Sequence, residues 1–422
     1  MDRHLGSTPP SGYWIDEAAH PERQSTGTSL RIRSLDETER LAELALGSAG
    51  VTRIADVTEL DRVGIDVFHT VRPTAMPGLN TVTSGKGTTK QAARVSALME
   101  ALERRWCEPP GTGLTVASFL ELTESGKDVL DPRRLIPRRS HTWTPSSKLT
   151  WFPARDLVSD RQVFVPALSV FTPFEHEAGL FSSNTIGLAI GNSPREALLH
   201  GLLELIEHDS TAFGETLRRG YSVDAATIPV EAQRLVTLFN RADVDVDIFS
   251  YETETGIPTF QVTTSDRRMH DGMLFNGGVG CHLDPEIALM RALTEAAQSR
   301  LNVIAGARED FDRQAYRRHT SYQELKAHYD QWRSGRPSIP FTVVANRSTG
   351  TLEGELEVVL ESLRSANVNA ILVAELAPGN YPFSVTKVIV PGLEVFHEDR
   401  QRIGPRLSRT IRELKSSQEV SL

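Results

Sequence analysis

The sequence predicts a mixed α/β (α+β) fold in which strand–turn–helix units recur as internal pseudo-repeats around a shared centre. Three observations carry this. Three helix-forming segments about a hundred residues apart share one residue pattern, a glycine-rich stretch precedes each, and short β-branched runs fill the intervals. A spacing that long does not suit a solenoid, whose repeats span roughly 20–50 residues.

Composition sets the limits. At roughly 150 residues per domain, 422 residues allow two or three domain-sized units or one large one. Hydrophobic residues at 39% and charged residues at 24% supply a core and argue against general disorder. The 46 basic and 55 acidic side chains leave a net charge of −9 and a pI near 5.8, so a basic face for nucleic acid is not expected. No apolar run reaches the ~18 residues of a membrane helix. The opening residues, Met1-Asp2-Arg3-His4, lead into Ser, Thr, Pro and Gly instead of an apolar signal core. Cys107 and Cys281 are the only cysteines, too few for a disulfide framework or a thiolate zinc site. A soluble, cytoplasmic protein that binds neither nucleic acid nor membrane is expected.

Residues 1–30, rich in Pro, Gly, Ser and Thr, read as a flexible tail. Residues 31–75 read as a helix and strand element, and 76–422 as one large domain. Asp36-Glu37-Thr38-Glu39 opens an amphipathic helix through Leu41, Leu44 and Leu46. From Val51 to Val71, β-branched residues alternate with polar ones, which suits strands. Thr144-Pro145-Ser146-Ser147 marks a break before the strand-like Thr150-Trp151-Phe152 and Val163-Phe164-Val165. The charged stretch from Arg308 through Trp332 to Arg336 reads as exposed helices or a lid. After Gly404 an amphipathic segment runs through Leu407, Ile411 and Leu414.

The repeated pattern is a small residue, Leu, any residue, Glu, two residues, then Glu or Gln. It occurs at Ala97–Glu103, Gly201–Glu207 and Ala292–Gln298, with Ala93, Ala197 and Ala288 each seven residues before the first glutamate. Ser84-Gly85-Lys86-Gly87, Gly191-Asn192 and Gly277-Gly278-Val279-Gly280 read as the glycine turns that lead in. Residues i and i+3 share a helical face, so Glu100 with Glu103 and Glu204 with Glu207 are like-charged pairs. Two such pairs at matching positions suggest a bound cation, and a hard one such as Mg²⁺ takes carboxylate oxygens. A glycine-flanked Lys86 just before a helix suggests phosphate, since a helix N-terminus offers free N–H groups. Helix capping for Asn192 and a surface charge for Glu196 are the alternatives to a ligand role.

Other chemistries lack their signatures: there is no Walker A loop, His-Glu-x-x-His, Gly-x-Ser-x-Gly or Gly-x-Gly-x-x-Gly. Cys107 reads as a small buried hydrophobe, and Cys281-His282 as structural.

These residues resemble the YcaO family. Ser84-Gly85-Lys86-Gly87 with Ser96–Arg104 looks like its first signature. Gly191-Asn192, Glu196-Ala197 and Glu204–Asp209 are similar to its second, and Ala292–Arg300 to its third. Val388-Ile389-Val390-Pro391-Gly392-Leu393-Glu394 matches a further element, so the resemblance runs from about residue 50 to 400. Two departures stand out. Where the family commonly has Ser-Asn-Gly-Leu-Ala, Asn184 and Gly187 are here separated by Thr185-Ile186, and the usual Glu-Arg-Asp is Glu207-His208-Asp209.

The resemblance implies a YcaO-type catalytic domain over 76–422 with a central site for ATP and Mg²⁺. It implies that ATP activates a backbone amide of a ribosomally made peptide or protein. A nucleophile attacks the amide carbonyl, the oxyanion takes a phosphoryl group, and phosphate leaves. Residue by residue, it gives Glu100, Glu103, Glu204 and Glu207 metal and phosphate binding at the catalytic centre. It places Ser96, Asn192, Glu196, Gln298 and Arg300 in the nucleotide pocket, with Lys86 beside them.

The nucleophile decides the product: an azoline, a thioamide or an amidine. Azoline-forming members usually end in Pro-x-Pro-x-Pro, whereas this sequence ends Ser-Ser-Gln-Glu-Val-Ser-Leu. Gly50–Thr58, Leu60–Ile65 and Val71-Arg72-Pro73 look like the subgroup found beside TfuA proteins, associated with thioamides. A thioamide made with a TfuA-like partner is therefore the expectation, with azoline or amidine closure as the alternative. A further alternative is a non-catalytic ATP-binding factor for ribosomal-protein methylthiolation. No leader-binding domain is read before residue 75, so recruitment of the precursor peptide is expected to need a partner or the domain's own surface. The resemblance also implies a homodimer.

Overall fold

The computed structural model describes residues 24–419 except 26, 175–178, 308, 310–320 and 397. Most of the expected tail, and the charged segment just beyond Ala307, thus fall outside the described residues. Along the chain, helix α1 (Leu35–Ala49) is followed by strands β1 (Arg53–Asp56), β2 (Val67–Val71) and β3 (Val82–Lys86) and by helix α2 (Lys90–Trp106). Strands β4 (Thr115–Ser118), β5 (Lys148–Asp156), β6 (Arg161–Pro166) and β7 (Leu188–Gly191) lead to the long helix α3 (Pro194–Leu217). Next come β8 (Tyr221–Asp224), α4 (Val230–Arg241), β9 (Val244–Ser250), β10 (Thr259–Asp266), β11 (Asn276–Cys281) and α5 (Pro285–Ala305). The last are α6 (Tyr322–Arg333), β12 (Ser338–Pro340), α7 (Leu352–Ser365), β13 (Leu372–Glu375), β14 (Ser384–Ile389) and α8 (Pro405–Glu419).

These elements fall into two units that interleave along the sequence. The first takes in Trp106–Leu217 and Leu356–Leu422, the second Glu22–Arg105 and Arg218–Glu355. In the first, strands run in the order β4-β5-β13-β14-β7, all antiparallel, with β6 on the other edge of β5. Its core gathers Trp151, Val165, Phe171 and Leu372. Trp151 is wholly buried, and its indole N–H donates to Ala117 O at 2.8 Å, so burial leaves no orphan donor. Helix α3 is buried on nearly every side, from Arg195 to Gly214, and packs on β7 and β14.

Among the described residues the second unit holds three sheets, the smallest an antiparallel pair of Gln24–Ser25 with Leu30–Arg31. The antiparallel ladder β1-β2-β3 realises the strands expected between Val51 and Val71. A five-stranded sheet has the order β11-β10-β9-β8-β12, with only β8 and β12 parallel. Every residue of β10 is buried. Helices α4 and α5 cover this sheet, burying Phe239, Val262, Leu289 and Leu293 in one cluster.

Helix ends follow from local chemistry. Ser34 Oγ accepts the Glu37 N–H at 3.2 Å to open α1, and Gly50 at φ 73° closes it. Asp284 caps α5 ahead of Pro285, and Ser321 with Glu324 forms a reciprocal capping box on α6.

Two expectations need correction. Helix α1 lies where its opening acids place it, but its buried face is Thr38, Ala42, Ala45 and Ala49, and Leu44 is 75% exposed. Side chains tie α1 to α2: Arg94 pairs with Glu39 and Glu43, and Gln91 donates to Asp36 and Glu39. The glycine stretches, moreover, are not turns. Gly85 sits inside β3, Gly191 ends β7, and Gly277–Gly280 lie inside β11. A helix backbone approaches these glycines, including Gly85 and Gly87, where phosphate was expected. A Cβ on Gly87 would stand 2.4 Å from Ala93 N, one on Gly191 2.4 Å from Ala197 N, and one on Gly280 2.1 Å from Ala288 O. The alanines seven residues before each glutamate are thus the points where helix and strand touch.

Candidate active site

In the second unit, β3, α2 and α5 bring several expected site residues together. Lys86, on β3, places its ammonium 2.5 Å from Glu295 Oε2 of α5, and the Val279 N–H donates to Glu295 Oε1 at 3.2 Å. Burial raises the Glu295 carboxyl, but Lys86, the Val279 N–H and Arg291 outweigh it and hold it below the ordinary carboxylate range. Ser96 Oγ accepts the Lys86 N–H at 3.4 Å. Gln298 Nε2 donates to Ser84 O at 2.9 Å, and Ser84 Oγ donates to Asn302 Oδ1 at 2.7 Å. His69 Nε2 donates to the same Asn302 oxygen at 3.1 Å. Burial pushes the His69 imidazole down against that hydrogen bond, which keeps the ring neutral near pH 7. Lys86, Ser96 and Gln298 therefore join one network. Glu295, His69 and Asn302 were missed as partners, since they lie more than two hundred residues from Lys86 and Ser84 or on the neighbouring strand.

On α2, Glu100 Oε1 accepts from Arg104 Nε at 2.7 Å, one turn on, and Glu103 is buried. Arg300 is placed deeper than a pocket wall. Its side chain has no exposed surface, and its guanidinium binds Asp61 at 2.8 and 3.2 Å and Asp266 at 2.8 Å. Arg62 adds a second cation to Asp266 at 2.6 Å. One buried nitrogen of Arg300, Nη1, has no hydrogen-bond partner.

In the first unit, β7 and the start of α3 position Asn192 and Glu196, both buried. Neither alternative reading of them holds. Ser193 Oγ takes the capping N–H, that of Glu196, at 3.3 Å, and Glu196 turns its carboxylate back onto Asn192 Nδ2 at 3.1 Å. Two turns along α3, Glu204 Oε2 accepts the Gly187 N–H at 3.2 Å, so the inserted Thr185-Ile186 segment still delivers an amide to the glutamate. His208 stands 4.0 Å from Glu204 and 3.9 Å from Glu398. Glu207 is partly exposed beside it. Asp209 is buried, receiving Arg406 at 2.6 Å and the Glu394 N–H at 2.7 Å. Cys107 is buried, as expected of a small hydrophobe, and its Sγ donates to Thr172 O at 3.3 Å; Cys281 is buried too, and neither forms a disulfide.

Among the described residues, no three His, Cys, Asp or Glu side chains are gathered into a ready metal cage. Mg²⁺ takes one or two carboxylates and completes its shell with phosphate oxygens and water. Glu100 and Glu103 in the second unit, and Glu204 and Glu207 in the first, are hard oxygen donors of the kind Mg²⁺ takes.

The sequence model of the family described as YcaO cyclodehydratase, ATP- and Mg²⁺-binding, matches residues 84–394. The chain is 39% identical over 373 residues to an uncharacterised protein of Methanothermobacter thermautotrophicus, covering 87% of this chain and 95% of that one. It is 31% identical over 414 residues to an uncharacterised protein in the tfuA 3′ region of Rhizobium leguminosarum bv. trifolii, covering 94% and 97%. Its fold superposes on YcaO from Methanopyrus kandleri bound with AMPPCP and Mg²⁺, with a TM-score of 0.74, 25% identity and coverage of 90% and 96%. The Escherichia coli microcin synthetase McbBCD complex with pro-MccB17 bound shares the fold at a TM-score of 0.57 and 16% identity, over 80% of this chain and 87% of that one. This chain therefore belongs to the YcaO family, whose members bind ATP and Mg²⁺ and modify peptides. Among the described residues, no helix is long and apolar enough to cross a membrane.

Proposed function

We propose that this chain uses Mg-ATP to activate a backbone amide of a ribosomally made peptide or protein and, with a TfuA-like partner, converts it to a thioamide. The relative lying beside tfuA, alike over nearly its full length, is the observation that supports the sulfur chemistry. When bound, Mg-ATP supplies the phosphoryl group, and the metal offsets phosphate charge. Glu100 and Glu103 on α2, and Glu204 and Glu207 on α3, hold metal and phosphate. Asn192 and Glu196, locked to each other, and Ser96, Lys86 and Gln298, linked through β3, orient the nucleotide. Arg300, gripped by Asp61 and Asp266, acts from behind by fixing α5 and so Gln298. The net change is hydrosulfide in and phosphate out: sulfur bonds to the amide carbon, the carbonyl oxygen leaves on phosphorus, and the S–H proton is released.

The family's description as a cyclodehydratase favours a second reading, azoline or amidine closure. Mass spectrometry of a candidate precursor peptide treated with ATP, Mg²⁺, sulfide and the TfuA-like partner separates them. Thioamidation replaces oxygen by sulfur; ring closure loses water. Loss of water with no sulfur gained refutes the thioamide reading. Ordinary turnover by Glu204→Gln/Glu207→Gln refutes the site.

A further inference from the structure

Helix α5 presents three polar side chains to β3 along one face. Glu295, Gln298 and Asn302 stand at i, i+3 and i+7, so they form a stripe, one above the other. Each meets the strand. Glu295 takes the Lys86 ammonium at 2.5 Å, Gln298 Nε2 donates to Ser84 O at 2.9 Å, and Asn302 Oδ1 accepts from Ser84 Oγ at 2.7 Å. Ser84 and Lys86 share a face of β3 because side chains alternate along a strand. Gly85, between them, turns its other face to α2, where a Cβ would stand 1.9 Å from Ala97 N. Strand β3 is therefore held between two helices, and Ser96 of α2 and Gln298 of α5 both bond its backbone.

The last contact of the stripe has a second donor. His69 lies opposite Ser84 in the β2–β3 ladder, and its Nε2 donates to the same Asn302 oxygen at 3.1 Å. An amide oxygen only accepts, so two donors on it fix which end of Asn302 faces the sheet. His69 is buried, in a strand buried from Val67 to Thr70. A phenylalanine would fill that space without the desolvation that a buried imidazole bears. What the imidazole adds is its N–H. Without it, Asn302 can turn its Nδ2 to the sheet, Ser84 Oγ loses a fixed acceptor, and the Ser84 carbonyl that holds Gln298 is free to shift. We infer that His69 and Asn302 are positioning residues for the nucleotide: they hold Ser84, and with it β3, at the place on α5 from which Lys86, Ser96 and Gln298 orient it. The inference rests on the reading above that these three residues meet the nucleotide; His69 and Asn302 act through them.

Calorimetric titration of the full chain with Mg-ATP, well below its melting temperature, reads the effect without a peptide substrate. His69→Phe and Asn302→Leu should each raise the Kd about tenfold, the worth of roughly one hydrogen bond. His69→Gln, whose amide N–H can stand where Nε2 stood, should return the Kd to within about threefold of the wild type. A side chain that only filled the core would lower the melting temperature and leave the Kd of the folded chain alone. If His69→Phe does not fold, Asn302→Leu, at a partly exposed position, answers for the pair. An unchanged Kd in either folded variant overturns the inference, as does a His69→Gln that binds no more tightly than His69→Phe. Gln298→Leu and Lys86→Met separate the two readings. If both leave the Kd unchanged, the pocket reading fails and takes this inference with it. If they weaken binding while His69→Phe and Asn302→Leu do not, the pocket stands and the positioning role falls.

Discussion

Lys86 and Glu295 show how pairing can overrule burial at a single residue. The Glu295 carboxyl is held low in the folded chain by a cation 2.5 Å away, so folding favours its ionised form. A lowered folded value contributes stability that is present above the unfolded value, about 4.5, and is lost as pH falls through the folded one. Lys86→Met should therefore destabilise the protein at pH 7 by about 1–2 kcal/mol, as fits a half-buried pair. The deficit should shrink towards pH 3, as the wild type loses the same contribution. Urea unfolding across that range checks it, and a deficit independent of pH counts against the pair. None of this was legible in the sequence, because the partners are 209 residues apart and only the fold joins them. That Glu100 shares a helical face with Glu103, and Glu204 with Glu207, was legible because i and i+3 on a helix are neighbours by local geometry alone.

Elements are set by how closely helices approach strands. Each glutamate-bearing helix closely approaches a glycine in or just after the preceding strand through the alanine seven residues before its first glutamate: Gly87, Gly191 and Gly280. The residue pattern revealed those positions, but their purpose was misread as turn formation, because glycine chosen for close approach and glycine chosen for a turn look alike in sequence. Gly280→Ala, whose Cβ would meet Ala288 O at 2.1 Å, should cost about 2–3 kcal/mol by overpacking. Gly47→Ala is the control: it is exposed in α1 with nothing within 4 Å, and should add about 0.5–1 kcal/mol. Thermal or urea unfolding of both variants decides, and a neutral Gly280→Ala would falsify the close-approach account. Helix α8 is held in another way. Glu394 accepts the N–H groups of Gly404 and Leu407 at 2.7 and 3.0 Å, and Arg406 grips the buried Asp209 on α3, two residues beyond Glu207. Arg406→Met strands a buried carboxylate and should cost roughly 3 kcal/mol. Adding Asp209→Asn should recover part of that loss in a double-mutant cycle, and strict additivity would show that the two do not interact.

At the scale of the whole molecule, the family assignment makes a thermodynamic demand. A ligand bound only by the folded chain raises its stability by RT ln(1 + [L]/Kd), about 2.7 kcal/mol at a hundred times Kd. Mg-ATP should therefore raise the melting temperature in a concentration-dependent way, and EDTA should cancel the rise, since phosphate charge is then no longer offset by metal. The glutamate pairs belong to different units, Glu100 and Glu103 to the second and Glu204 and Glu207 to the first. Since each pair is proposed to hold metal and phosphate, Glu100→Gln/Glu103→Gln and Glu204→Gln/Glu207→Gln should each abolish the shift when made alone. Neither should greatly change the melting temperature without ATP, because removing like charges from one helical face relieves a few tenths of a kcal/mol of repulsion. Calorimetry with and without Mg-ATP separates the outcomes. A full shift retained by either double variant would confine the nucleotide to the other pair and break the residue assignment, even though membership of an ATP- and Mg²⁺-binding family stands on the 84–394 match.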